Sequence, residues 1–230
     1  MKARDVGFVL LGTVAAATCI RLGIWQLERL SERRSFNAQL KSRAETAPID
    51  FRKLPPDTGT AHYRRVRITG EYDFDNQLVL TSRSRRGSPG VNIITPVRIA
   101  GTDTAVLVNR GWIYAPDGMT ADLTRWREPA QLAGDAYVEN YHSRSGAVKS
   151  GRVSRAYRWM DRATLSQEFP YAIAPYYLVL IGETENPPAN VPPRVPVPPL
   201  DEGSHQSYAF QWFSFAAISI IGMVLYLRRK

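Results

Sequence analysis

The chain has 230 residues, a formal net charge of +9 and a single cysteine, Cys19. Disulfides within the chain are thereby excluded, and no Cys/His set with zinc spacing occurs. The basic residues are mostly arginines scattered through the middle of the chain, with no Lys/Arg stripe, which argues against nucleic acid and leaves anionic lipid or an acidic ligand for the charge to serve. Lys2, Arg4 and Asp5 precede a twenty-residue apolar segment, Val6 to Trp25, interrupted only by Arg21. At about 1.5 Å per residue it reaches roughly 30 Å, the thickness of a bilayer's hydrocarbon core. Arg21 stands near its end, where a long side chain can snorkel. The competing reading is a cleaved signal peptide with Ala15-Ala16-Ala17 as its small residues; apolar character continuing to Leu27 favours a span. Gly12, Ala16, Cys19 and Gly23 recur at four, three and four residues, a small-residue face continued by Gln26, and such faces let membrane helices approach closely.

Glu28 to Arg43 reads as a polar helical extension with charges of alternating sign, ended by Pro48, Pro55 and Pro56. From Tyr63 the period changes to two: Val66, Ile68 and Tyr72 alternate with Arg65, Arg67 and Glu71, as in a half-buried strand. Further strands are expected over Gln77–Thr81, over Val91–Ile99 with Pro96 at an edge or bulge, and over Ala105–Tyr114, Leu132–Tyr141 and Tyr176–Ile181. Ser82–Gly90 reads as a loop. Asp161 reads as the N-cap of a short helix, Arg162–Phe169. Seven of the thirteen residues from Pro187 to Pro199 are proline, so an extended linker back to the membrane is expected. The twenty residues Tyr208 to Leu227 carry no charge, and Arg228, Arg229 and Lys230 follow: a second span with a basic tail, Tyr208 and Trp212 at its interfacial end.

The fold class expected is therefore an α+β membrane protein, a two-helix transmembrane hairpin carrying a mainly antiparallel external β domain of barrel or sandwich type. Its parts are a cytoplasmic N-terminus (1–5), a first span (6–25), a β-rich domain (26–186), a proline-rich linker (187–204), a boundary histidine with the second span (205–227), and a cytoplasmic tail (228–230). Flanking charge ties at five basic residues on each side. The stretch from Val195 to Ser207 holds no Lys or Arg, and a long loop translocates largely regardless of charge. Both termini are accordingly read as cytoplasmic and the middle as external.

Chemistry-bearing patterns are few. G-x-S-x-G, H-E-x-x-H, Walker and dinucleotide-binding glycine motifs are absent from the sequence. His62 and His142, the latter beside Ser143-Arg144, read as solvated loop residues. His205 differs, because it stands just before the second span. On a helix it shares a face with Tyr208, Ala209 and Trp212 at i, i+3, i+4 and i+7, which sets a possible metal ligand beside a small residue and two aromatic rings. Arg83, Arg85, Arg86 and Arg110 are candidates for pairing with carboxylates.

Four stretches together resemble one family. Leu22-Gly23-Ile24-Trp25-Gln26-Leu27-Glu28-Arg29 is similar to its L-G-x-W-Q-L-x-R signature. Arg83 with Gly87-Ser88-Pro89-Gly90 and Thr95-Pro96 resembles its R…G-x-P-G…T-P stretch, and Val106 to Trp112 its V-L-V-N-R-G-W core. His205 to Phe213 resembles H-x-x-Y-A-x-Q-W-F. The family is the surfeit-locus family of cytochrome c oxidase assembly factors. The resemblance implies an inner-membrane helical hairpin with an external β-rich domain, no enzymatic turnover, and a chaperone-like role in supplying haem a to the haem-bearing subunit of the respiratory-chain oxidase. Membrane lipids are an implied partner and the haem a synthesis machinery a possible one. His205 matches the family's haem-ligand position, with Tyr208, Ala209, Trp212, Gly23, Trp25, Gln26 and Arg110 as the accompanying cofactor-binding candidates. Ser204 departs from the family's usual Asn. The alternatives are a cofactor-free membrane scaffold that stabilises an oxidase assembly intermediate, and a membrane-anchored enzyme of unknown reaction.

Overall fold

The structure, a computed structural model, describes residues 3–142, 155–197 and 200–229. Expectations that fall on Lys2, Ser143, Arg144, Pro198, Pro199 and Lys230 lie outside the described residues. Among the described residues there are four α-helices: α1 (Ala3–Glu45), α2 (Thr58–Ala61), α3 (Arg162–Leu165) and α4 (His205–Arg228). The strands are β1 (Ile49–Asp50), β2 (Arg65–Tyr72), β3 (Leu78–Arg85), β4 (Ser88–Arg98), β5 (Thr104–Tyr114), β6 (Gln131–Glu139), β7 (Ala156–Tyr157), β8 (Ala172–Ile173) and β9 (Tyr177–Leu180). The chain divides into two compact units, Met1–Gln39 with Pro199–Lys230, and Leu40–Pro198.

The first unit is the helix pair. Both helices are long and apolar enough to cross a membrane. Their large side chains turn outward, with Leu10, Leu11, Phe210 and Ile218 more than 60% exposed, while Ala16, Ala209 and Ala216 are buried. Small residues at such a seam let two helices approach closely. The helix α1 runs on without a break because nothing between Gly23 and Pro48 is glycine or proline. Arg29–Glu32 and Lys41–Glu45 ion pairs line its exposed side. The polar helical extension expected over Glu28–Arg43 is the continuation of α1, and the compact unit that holds the sheet begins at Leu40.

The second unit is one nine-stranded mixed sheet rather than two packed sheets, in the order β1-β2-β6-β9-β5-β4-β3-β7, with β8 on β5. The long neighbours are antiparallel, as for β2 with β6 and β4 with β3 and β5. The short strands β1, β7 and β8 pair in parallel, as does β9 with β5. At its end β2 also pairs with β4, through Glu71↔Arg98 and Tyr72↔Val97. Pro96 shows why a proline fits here. Pairing of β4 with β3 starts at Ile94 and with β2 at Val97, and the Pro96 carbonyl accepts from the Asp73 amide at 2.9 Å. The missing N–H thus falls in the gap between two partners.

The expected loop Ser82–Gly90 is instead the tip of the β3–β4 hairpin, paired out to Arg85↔Ser88. Arg86 and Gly87 turn it with φ of 50° and 79°, the positive values a two-residue hairpin needs. The helix from Asp161 is shorter than predicted. Asp161 caps it through the Thr164 amide, but it ends at Leu165.

Alternate residues of β5 enter different cores. Val106 and Val108 pack with Val66, Ile68 and Leu178, while Leu107 packs with Leu78, Ile94 and Tyr157. Each such side chain stabilises the fold by about 1.5–3 kcal/mol through burial. The register of β5 against β4 skips one residue, since Ile93 faces Gly111 and Ile94 faces Asn109. Arg110 is the extra residue of this bulge, which re-aims its side chain.

Candidate functional site

In the first unit α1 and α4 run antiparallel in a consistent register. Tyr226 donates its hydroxyl to Asp5 at 2.9 Å and its ring lies 4.3 Å from Phe8. Met223 packs against Gly12. A Cβ on Gly23 would come within 2.7 Å of the Phe213 ring, so only glycine admits that ring. At the α4 N-terminus, His205 Nδ1 lies 2.7 Å from Gln26 Oε1, and Gln26 is only 8% exposed. The carboxamide oxygen accepts, so Nδ1 carries the proton and Nε2 holds the lone pair. This is how metal-binding histidines are commonly oriented, through a hydrogen bond at the other nitrogen.

The segment before α4 is tied to α1. Arg33 Nε and Asn37 Nδ2 both donate to the Asp201 carbonyl, at 3.0 and 3.1 Å, and Arg34 pairs with Glu202 at 2.9 Å. Asp201 in turn accepts from the Gly203 amide at 2.8 Å. These bonds fix the turn that delivers His205. The result is an open groove of about 380 Å³ lined by Arg29, Glu32, Arg33, Phe36 and His205. Its chemistry is one imidazole, two guanidinium groups, one carboxylate and an aromatic ring that is 44% exposed.

The residues predicted for the site separate into four groups. His205, Gln26, Gly23 and Ala209 lie on the helix–helix seam; Ala209 is buried and leaves the close approach open. Tyr208, at 47% exposure, and Trp25, at 40%, face outward instead, with Arg29 over the Trp25 ring at 5.8 Å. Trp212 is half-buried and meets Phe215 edge-on at 6.0 Å. The predicted common face of His205, Tyr208, Ala209 and Trp212 therefore splits, because α1 covers only the Ala209 side. Arg33 and Phe36 were not anticipated. Extending the Gly23–Gln26 stripe by alternate steps of four and three gives Leu30, Arg33 and Asn37, which would have found Arg33.

Arg110 belongs to the other unit and has a different task. Its side chain is fully buried, with Nε 3.0 Å from Glu128. Its terminal nitrogens donate to Gln77, Thr95 and the Trp126 carbonyl. Burial pulls its pKa below the ordinary arginine value, and the Glu128 charge opposes that. Arg194, from the proline-rich segment, binds the same carboxylate at 2.5 and 3.0 Å and the Arg110 carbonyl at 2.5 Å. Beside it the Trp112 amide donates to the Pro193 carbonyl at 2.9 Å. Gly111, at φ 148°, lets Pro192 and Pro193 pass where a Cβ would collide. The segment expected as an extended linker from 187 is docked on the sheet at least as far as Val195. All three nitrogens of the Arg110 guanidinium thus have protein partners within the sheet unit. His62 likewise has a local partner, Glu139 at 2.7 Å.

A model of the SURF1 family matches residues 13–217. A SURF1-like protein of Monosiga brevicollis is 27% identical over 91% of this chain and 83% of its own length. An uncharacterised SURF1-like protein of Mycobacterium bovis is 28% identical over 88% of this chain and 75% of its own. The Surfeit locus protein 1 of Takifugu rubripes is 29% identical over 53% and 55%. The family match takes in both parts of the helix pair, the docked proline segment and the sheet between them, and the chain belongs to the SURF1 family.

Proposed function

We propose that this protein is an assembly factor for cytochrome c oxidase, held in the membrane by α1 and α4, that binds haem a through His205 and passes it to the haem-bearing subunit without catalytic turnover. The observation that carries the reading is the imidazole itself. Gln26 holds Nδ1 at 2.7 Å, which leaves Nε2 as the lone-pair nitrogen of a side chain that lines an open groove. Neutral imidazole is a good haem-iron ligand, and iron bound there supplies an axial position for it. The groove's composition suits the rest of the molecule, since haem a carries a long apolar tail and two carboxylates. The apolar outer faces of α1 and α4 suit the tail, and the arginines suit the carboxylates. Among the described residues no group of three His, Cys, Asp or Glu assembles into a metal site, so His205 would act as a single open ligand, which suits cargo that must leave again. The external placement of the sheet unit, and a closed, barrel-like reading of the ring of pairings through β2, β6, β9, β5 and β4, belong to the same proposal.

The test is a titration of the full chain, purified in detergent, with iron protoporphyrin IX. A Soret band of histidine-ligated haem should form and should be lost or shifted in His205→Ala. An unchanged spectrum and stoichiometry in that variant would refute the ligand assignment. Unchanged oxidase haem content in cells carrying it would favour the scaffold reading.

A further inference from the structure

We propose that Arg29 and Arg33 form a carboxylate clamp along the His205 groove, so that its ligand is an apolar macrocycle held by imidazole at the metal and by guanidinium groups at paired acids. The proposal rests on the function proposed above and adds the orientation of the ligand. Arg29 and Arg33 follow Gln26 at i+3 and i+7 and are themselves one turn apart, so all three lie on one side of α1. The residue that orients the imidazole is therefore continuous with the two cations.

Their existing bonds differ in kind. Arg34 is paired with Glu202, whereas Arg33 has no carboxylate partner among the described residues. Its Nε is fixed on the Asp201 carbonyl at 3.0 Å, which orients the planar group and leaves its terminal nitrogens as donors. Arg29 is paired with Glu32 at 2.8 Å, with both side chains more than half exposed. An exposed pair of that kind contributes little and exchanges readily for a better acceptor. Phe36, with Arg33 5.8 Å from its ring, supplies apolar surface in the same groove. The N-terminus of α4 begins at His205, and Ser204 gives it no side-chain cap, so the positive end of the helix dipole adds to the attraction for an anion. Of the arginines, Arg29 and Arg33 line the groove, whereas Arg83, Arg85, Arg86 and Arg110 stand in the strands and hairpin of the sheet unit.

The experiment compares iron protoporphyrin IX, which has two free carboxylates, with its dimethyl ester, each titrated into the full chain in detergent. Charge-assisted hydrogen bonds predict that Arg29→Gln/Arg33→Gln together weaken binding of the free acid by roughly ten- to a hundredfold. The ester should be affected less than about twofold, because it offers no charge to the clamp. An equal loss for both probes, or no loss for either, overturns the clamp. His205→Ala run beside it separates the two ideas. If that variant leaves both titrations unchanged, the ligation reading beneath the proposal fails, whatever the arginine ratio shows.

Discussion

Glu128 is the residue whose loss should be felt most in the sheet unit. Among the described residues it is the one carboxylate in ion-pair contact with both Arg110 and Arg194, with three N–H···O bonds at 3.0, 3.0 and 2.5 Å. The three side chains are 0%, 9% and 12% exposed. Glu128→Ala would leave two guanidinium groups facing each other in a largely dry site, with no compensating anion. Removing one partner of a buried ion pair costs about 3–5 kcal/mol, a large share of the roughly 5–15 kcal/mol that holds a domain together. For a chain of this size that corresponds to a fall in melting temperature of roughly 6–20 °C. The loss should also be local first, because Arg194 fastens the proline segment against Gly111 and Trp112. Near-ultraviolet circular dichroism of the full chain in detergent reads the melt, and hydrogen exchange at the Trp112 amide reads the undocking. The exposed pair Arg86–Glu185 is the control, and Arg86→Ala should move neither. A Glu128→Ala melt within about 2 °C of wild type, or an unchanged Trp112 amide, would refute the reasoning.

Three further outcomes follow from the same geometry. Gly23→Leu drives a side chain into the Phe213 ring and should part Gln26 from His205, lowering oxidase assembly while membrane insertion is unchanged; normal assembly would show the small-residue stripe to be incidental. Reporter fusions after Asp50 and Arg155 should both register outside the cytoplasm and one after Lys230 inside, whereas a cytoplasmic signal at Arg155 contradicts the proposed topology. Hydrogen bonds from the Thr120 hydroxyl, then from the Thr120 and Met119 amides, hold the Asp117 carboxyl at about 2 against an ordinary 3.8. A depressed carboxyl stabilises its turn fully above the ordinary value and stops doing so as pH falls through the lower one. Protection of the Thr120 amide should therefore decline between about pH 4 and 2, and Asp117→Asn should remove that dependence.

Periodicity made much of the fold legible. The alternation of Val66, Ile68 and Tyr72 located β2, and the charge-free run to Leu227 located α4 within a few residues of its ends. What periodicity missed depended on partners distant in sequence. Ser82–Gly90 reads as a loop on composition, yet ladder bonds to the opposite arm extend both strands through it. The proline segment reads as a linker because nothing local reveals that Gly111, over 80 positions earlier, makes room for it. Arg110 was grouped with His205 because both stand in motifs of one family, but the β5 bulge opposite Ile93 and Ile94 turns it into the sheet's interior. The seam was partly readable from the spacing Gly12, Ala16, Gly23 and Gln26. Its neighbours Tyr208 and Trp25 lie on the outward side, which spacing leaves open, since helical spacing gives a shared face without saying which side a second helix covers.

The central claim is that His205 ligates haem a. The most direct measurement is the absorption spectrum of the full chain purified from cells that synthesise haem a, wild type beside His205→Ala. The account predicts a haem a band in the wild type at a defined ratio to protein, and its loss or displacement in the variant at equal protein level. A wild-type preparation without haem a, or an identical band and ratio in both proteins, would contradict it.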